Sequence, residues 1–181
     1  MRYKFSVILI IILSVFVGFA NINKPETAEM ILHNSLKLAE LSNKPVLVIF
    51  HASWCIWCKH LEAALDSPEL KKIIDDNFIV TYIDVLEQKD KQDELENPGG
   101  DKIMNDFGGK DSGLPFYVFL NSNGKIIVNS EAMPENQNIG YPVSESEITA
   151  FSNLLKKSSS KITNKQITTV KEYLEKNAPK H

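Results

Sequence analysis

Small and apolar residues recur at helical spacing over residues 26 to 42. Ala28, Ile31, Leu32, Ser35, Leu36 and Ala39 fall on one stripe, which stops at Ser42-Asn43 ahead of Pro45. The spacing predicts an amphipathic helix. Val46 to Phe50 is an unbroken apolar run rich in β-branched residues, the pattern of a strand covered on both faces. It leads directly into His51-Ala52-Ser53-Trp54-Cys55-Ile56-Trp57-Cys58, and from Ile56 to Leu65 the period becomes helical. Ser67-Pro68 reads as a new N-cap followed by proline at the first helical position, so a second helix is expected to about Asp76. Phe78 to Val85 is the next strand. Helix, strand, helix, strand in this order predicts a right-handed crossover between parallel strands.

The second half is more interrupted. Residues 87 to 96 form a charged run expected to be a solvated face or loop. After Asn97-Pro98-Gly99-Gly100 a short helix reaches about Phe107, and Gly108-Gly109 and Gly113 mark a loop ending at Leu114-Pro115. Phe116 to Leu120 and Lys125 to Asn129 are short strands joined by Asn121-Ser122-Asn123-Gly124, a strong hairpin signal. Residues 131 to 143 are irregular and too polar for a core element. Ser144 with Glu147 forms a capping box for a helix to about Lys157. Ser158-Ser159-Ser160 breaks it, and a last amphipathic helix spans Thr163 to Lys176.

The first twenty residues stand apart. Arg2 and Lys4 are followed by an uncharged, nearly all-apolar stretch from Phe5 to Phe19, and Gly18-Phe19-Ala20 offers small residues at the positions a signal peptidase reads. This layout predicts a secretory signal peptide over 1 to 20, with an uncleaved membrane tether as the alternative. Loss of Arg2 and Lys4 leaves 18 bases against 23 acids, a charge of −5 on 161 residues. Arg2 is the single arginine, so the exported protein has none. With guanidinium forks missing and an acidic balance, nucleic acid is not an expected partner. An exported chain places its two cysteines where disulfides persist, in the periplasm if the source has two membranes.

The two cysteines lie three residues apart at a strand-to-helix junction. A cysteine at a helix N-terminus faces unpaired amides and the positive end of the dipole, which favour the thiolate, the form that attacks a disulfide. Cys58, one turn on, can reach the first sulfur and release a trapped mixed disulfide. The pair can thus cycle between dithiol and disulfide.

The stretch from Val48 to Lys59, with tryptophan before the first cysteine and lysine after the second, resembles the active-site segment of the thioredoxin superfamily. The likeness extends to Tyr82-Ile83-Asp84 and to Gly113-Leu114-Pro115-Phe116 in the place of the family's cis-proline loop, followed by the hairpin and closing helix. The resemblance implies a thioredoxin-like α/β fold over residues 26 to 157: a central mixed sheet flanked by helices, with residues 158 to 181 as an extra C-terminal helical extension. It implies Cys55 as attacking nucleophile and Cys58 as resolving thiol. Trp54, Ile56, Trp57, Leu114 and Pro115 become substrate contacts, with Pro115 shaping the site and keeping metal from assembling there. Partners would be protein thiols and disulfides and an electron donor in the membrane, with no organic cofactor and no metal.

Departures from the family are as informative. The buried aspartate that thioredoxins carry six residues before the first cysteine is Ile49 here, and their second-strand lysine falls near Val80, so the proton acceptor for the resolving cysteine is absent or different. His51, Lys59 and His60 are nearby in sequence, with Lys59 and His60 expected to be solvated helix residues. The central Ile-Trp pair matches neither thioredoxin's Gly-Pro nor the Pro-His of a strong oxidant. Trp54 is expected to pack beside the cysteines. Trp57 either offers an apolar face to a client or packs under the insertion at 87 to 113. Two other function classes use the same residues: a copper(I)-binding, metallochaperone-like module and a client-binding module with a structural disulfide. The direction of exchange and the oligomeric state have no signature in these residues.

Overall fold

In the computed structural model, which describes residues 24–179, the apolar run becomes strand β1 (Val46–His51). Both of its faces are covered. Helix α1 (Ala28–Ser42) precedes it and ends at Asn43, whose left-handed φ of 49° fits the αL tolerance of asparagine. Helix α2 (Ile56–Leu65) and the shorter α3 (Lys71–Asn77) then carry the chain to strand β2 (Ile79–Asp84). Short helices α4 (Gln92–Leu95) and α5 (Gly100–Asp106) lead to the hairpin of β3 (Phe116–Leu120) and β4 (Ile126–Asn129). Helices α6 (Glu145–Ser158) and α7 (Asn164–Asn177) close the fold. The expected signal peptide at 1 to 20 lies outside the described residues. Within them no helix is long and apolar enough to cross a membrane.

The sheet order is β2-β1-β3-β4, with β1 parallel to β2 and antiparallel to β3, so the sheet is mixed as expected. Alternation along the central strands divides the core in two. Leu47 and Ile49 of β1 join Tyr117 and Phe119 of β3 on the face covered by α2, α3, α6 and α7. Val46, Val48 and Phe50 join Phe116, Val118 and Leu120 on the face covered by α1 and α5. Ile49, in the place of the family's buried aspartate, is fully buried in the first cluster. Ile162, Val170 and Leu174 lie in that cluster too, so α7 shares the main core with the strands.

Three expectations are corrected. The helix after α2 begins at Lys71: Ser67 accepts from the Leu70 amide at 3.2 Å and caps a separate turn, leaving α3 without a side-chain cap. The charged run at 87 to 96 contains α4 and is not wholly solvated, because Glu87 is buried. The segment 131 to 143 is part of the core. It contains a 3₁₀ turn at Pro134–Asn136, then buries Ile139 and Tyr141 against the strands' helical cover. Its polar residues hide two well-placed apolar anchors, which composition averages away.

The capping box at α6 is present in full: Ser144 Oγ accepts from the Glu147 amide, and the Glu147 carboxylate accepts from the amides of Ser144 (2.8 Å) and Val143 (3.0 Å). Burial by itself would push the Glu147 carboxyl up, but these amides and the Ser144 hydroxyl hold it below its ordinary value of 4.5. A depressed folded value means that its contribution is complete above pH 4.5 and is lost as pH falls through the folded value. Glu147→Gln, which keeps an acceptor for the box and removes only the charge, is therefore expected to destabilise the protein by about 0.3–1 kcal/mol at neutral pH. In urea unfolding the gap to the parent should close towards strong acid; a gap that stays constant with pH would show that the carboxylate charge contributes nothing.

Candidate active site

The site is built where β1 runs out. After His51 the chain turns through Ala52-Ser53-Trp54, and the Cys55 amide closes the turn on the Ala52 carbonyl at 3.0 Å. Cys55 is the N-cap of α2, with extended φ and ψ of −79° and 103°, and its Sγ accepts from the Cys58 amide at 3.1 Å. A sulfur thus takes the place that serine or aspartate oxygen takes in an ordinary cap. Cys55 and Cys58 are joined in a disulfide with their Cα atoms 5.3 Å apart. Both are almost wholly buried, packed with Ala52 and against Leu114. The Cys58 amide and the positive end of α2 thus face the Cys55 sulfur, an environment that favours a thiolate over a thiol.

Leu114 and Pro115 approach from the loop before β3, and the bond between them is cis. Asn138 holds this loop: its side-chain amide donates to the carbonyls of Gly113 (2.7 Å) and Pro115 (3.0 Å), while its Oδ1 accepts from the Gly140 amide (3.2 Å). Ile56 is exposed on the first turn of α2. Trp54 is half-exposed and donates its indole N–H to the Leu86 carbonyl at 2.9 Å, so it leans on the chain just after β2. Trp57 packs on the segment 131 to 143. It stacks on Tyr141, with ring centroids 6.2 Å apart and planes 19° from parallel, and both rings also contact His60. A groove of about 690 Å³ runs from Trp57 and Leu114 past Asn138, Ile139 and Tyr141 to Glu147.

A ring of acids lies on the other side of the turn. His51 Nδ1 is 2.6 Å from Glu62 Oε1 and its Nε2 is 3.5 Å from Asp84 Oδ1, with the imidazole against the ring of Tyr82. Burial pushes the Asp84 carboxyl above its ordinary range; His51 opposes the shift, while Glu87, Glu62 and Glu96 reinforce it. Among the described residues no group of three His, Cys, Asp or Glu side chains is arranged to hold a metal ion.

A family model described as thioredoxin-like matches residues 29–122, just over half of the chain. The chain belongs to the thioredoxin-like family. Solved structures resemble it over a wider span. A disulphide isomerase from Xylella fastidiosa Temecula1 is 21% identical, covering 82% of this chain and 89% of its own, with a TM-score of 0.49. A protein described as DsbH oxidoreductase is 20% identical over 73% of this chain and 83% of its own, TM-score 0.49. The C-terminal domain of DsbD from Neisseria meningitidis, in the oxidised form, is 26% identical over 58% and 84%, TM-score 0.42. The family match stops in the β3–β4 hairpin, so Trp57 and Leu114 of the groove lie within it, and Asn138, Tyr141 and Glu147 lie beyond it.

The structure brings Cys55, Cys58 and Leu114 into one cluster, with Pro115 beside it. Sequence reasoning did not single out Glu62, Glu87, Asn138 or Tyr141. Glu62 had a usable signal, since it stands one helical turn after Cys58. Asn138 had none: its partners are 25 and 23 residues away in an irregular segment. Replacing Asn138 by alanine or aspartate removes both donated bonds and is expected to cost about 1–2 kcal/mol. Urea unfolding checks this, and an Asn138→Asp variant as stable as the parent would show that the two donations are idle.

Proposed function

We propose that the chain is an exported thiol-disulfide oxidoreductase acting on protein disulfides. The observation that carries this reading is the Cys55–Cys58 pair at the N-terminus of α2, with the Cys55 sulfur on the Cys58 amide. In the reduced protein the Cys55 thiolate attacks one sulfur of a client disulfide. A Cys55–client bond forms, the client S–S bond breaks, and the leaving sulfur departs as a thiolate and takes a proton. Cys58 then loses its proton and attacks the Cys55 sulfur. The Cys55–Cys58 bond forms, the second client thiol is released, and the client has gained the two electrons that the pair has lost. An electron donor in the membrane returns two electrons and restores the dithiol pair.

Client recognition is assigned to Trp54, Ile56, Trp57, Leu114 and Pro115. Exposed Ile56 and the two half-exposed indoles give an extended apolar segment something to lie on, and the groove beside Leu114 continues it. Residues 26 to 157 are taken as the working domain and 158 to 181 as its helical extension. The leader at 1 to 20 would deliver it to the periplasm, or tether it there if uncleaved.

Cys58→Ser is expected to accumulate client proteins as mixed disulfides through Cys55, visible as bands on non-reducing gels that collapse with dithiol. Cys55→Ser should trap none. Trapping by Cys55→Ser and not by Cys58→Ser would reverse the roles, and trapping by neither would sink the enzyme reading.

A further inference from the structure

Three residues past β2 the chain turns a carboxylate back on the active-site loop. Glu87 is 4% exposed, and its oxygens divide between the amide and the hydroxyl of Ser53, the latter at 2.8 Å. The residue before it, Leu86, has a left-handed φ of 56° and offers its carbonyl to the Trp54 indole. Glu96 accepts from the Glu87 amide at 2.8 Å and so fixes the base of the side chain. Ser53 and Trp54, the two residues before Cys55, are thus both held by the segment from 86 to 96.

Among the described residues no lysine or arginine is paired with Glu87. The groups that face this ring are Asp84 at the end of β2, Glu62 on α2, Glu96 after α4 and His51 at the end of β1. Of these carboxylates only Glu62 and Asp84 contact the imidazole, so Glu87 and Glu96 have no cationic partner among the described residues. The backbone from Ser53 to Cys55 spans at most about 7 Å, which puts the Glu87 charge within about 10 Å of the Cys55 amide.

We propose that Glu87 is a positioning residue of the redox site: it braces the Ser53-Trp54 turn, and its buried negative charge opposes the α2 dipole and disfavours the Cys55 thiolate. Destabilising the thiolate destabilises the reduced pair, which makes the dithiol a stronger reductant. The inference rests on the redox reading above and gives it a direction. It needs no further reactant, since the disulfide and the dithiol differ by two electrons and two protons whatever the donor.

Thiolate absorbance of the reduced full chain, followed against pH, tests it. At an effective dielectric near 20, Glu87→Gln is expected to lower the Cys55 thiol pKa by about half to one unit. Alkylation at mildly acidic pH should rise about two- to threefold, because nucleophilicity falls partly in step with pKa. The reduction potential, from equilibration with glutathione, should move to a more oxidising value. Glu94→Gln, the same charge change on exposed α4, should shift none of these. If Glu87→Gln fails to fold, Glu96→Gln, which removes the neighbouring negative charge that anchors the Glu87 amide, should give a smaller shift in the same direction. A Glu87→Gln titration that overlays the parent's, or an equal shift in Glu94→Gln, would overturn the proposal. The titration needs no client, so it stays readable even if the trapping experiment fails.

Discussion

Strand β1 has water on neither face, and the site takes its position from that burial. Val46 to Phe50 are at most 1% exposed, with helices over both sides and strands along both edges. A segment so enclosed cannot slip by one residue without exchanging its two apolar sets, so the point at which it leaves the sheet is tightly specified. His51 is the last paired residue and Cys55 the first cap of α2, and three residues of turn join them. The sulfur therefore stands at a helix terminus because the strand before it is anchored. The same strand pairs with β3, whose first residue follows Pro115, so the loop opposite the cysteines is placed by the same hydrogen-bond ladder.

Two electrostatic influences meet at Cys55. The unpaired amides and dipole of α2 favour a thiolate, an effect of about 0.3–2 kcal/mol at helix ends. Against it stands the proposed influence of Glu87, which shares its surroundings with Glu62, Glu96 and Asp84; burial, then repulsion from these carboxylates, lifts the Asp84 carboxyl. His51 holds two of them, Glu62 and Asp84. Apolar Ile49 fills the place of the family's aspartate, so the titratable groups sit around the rim of the turn and not under it. The opposite wall carries no carboxylate beside the cysteines: it is made of Leu114, the Trp57–Tyr141 stack and the Asn138 brace.

Periodicity revealed the elements whose burial follows a regular pattern. The stripe on α1, the unbroken run of β1, the hairpin at Asn121 to Gly124 and the capping box at Ser144 all recur in the structure, because each depends on neighbours within a few residues. Ser67-Pro68 misled for a related reason: the serine does cap, but a single turn that ends before α3 begins. The errors at Glu87 and at 131 to 143 are of another kind. Both segments are mostly polar, and what matters in each is one or two residues with distant partners: Glu87 with Ser53, Asn138 with Gly113 and Pro115, Tyr141 with Trp57.

By itself the sequence determined the strand-to-helix junction, the spacing that lets two sulfurs meet one turn apart, and the proline loop that accompanies them, since all three are written in contiguous residues. Only the tertiary structure decided which polar groups surround the sulfurs. A carboxylate in a charged run looks solvated until the fold shows whether a buried amide lies within hydrogen-bond reach. The Glu87–Ser53 contact spans 34 residues. Burial and charge proximity are properties of that closure in space, and no local pattern encodes them.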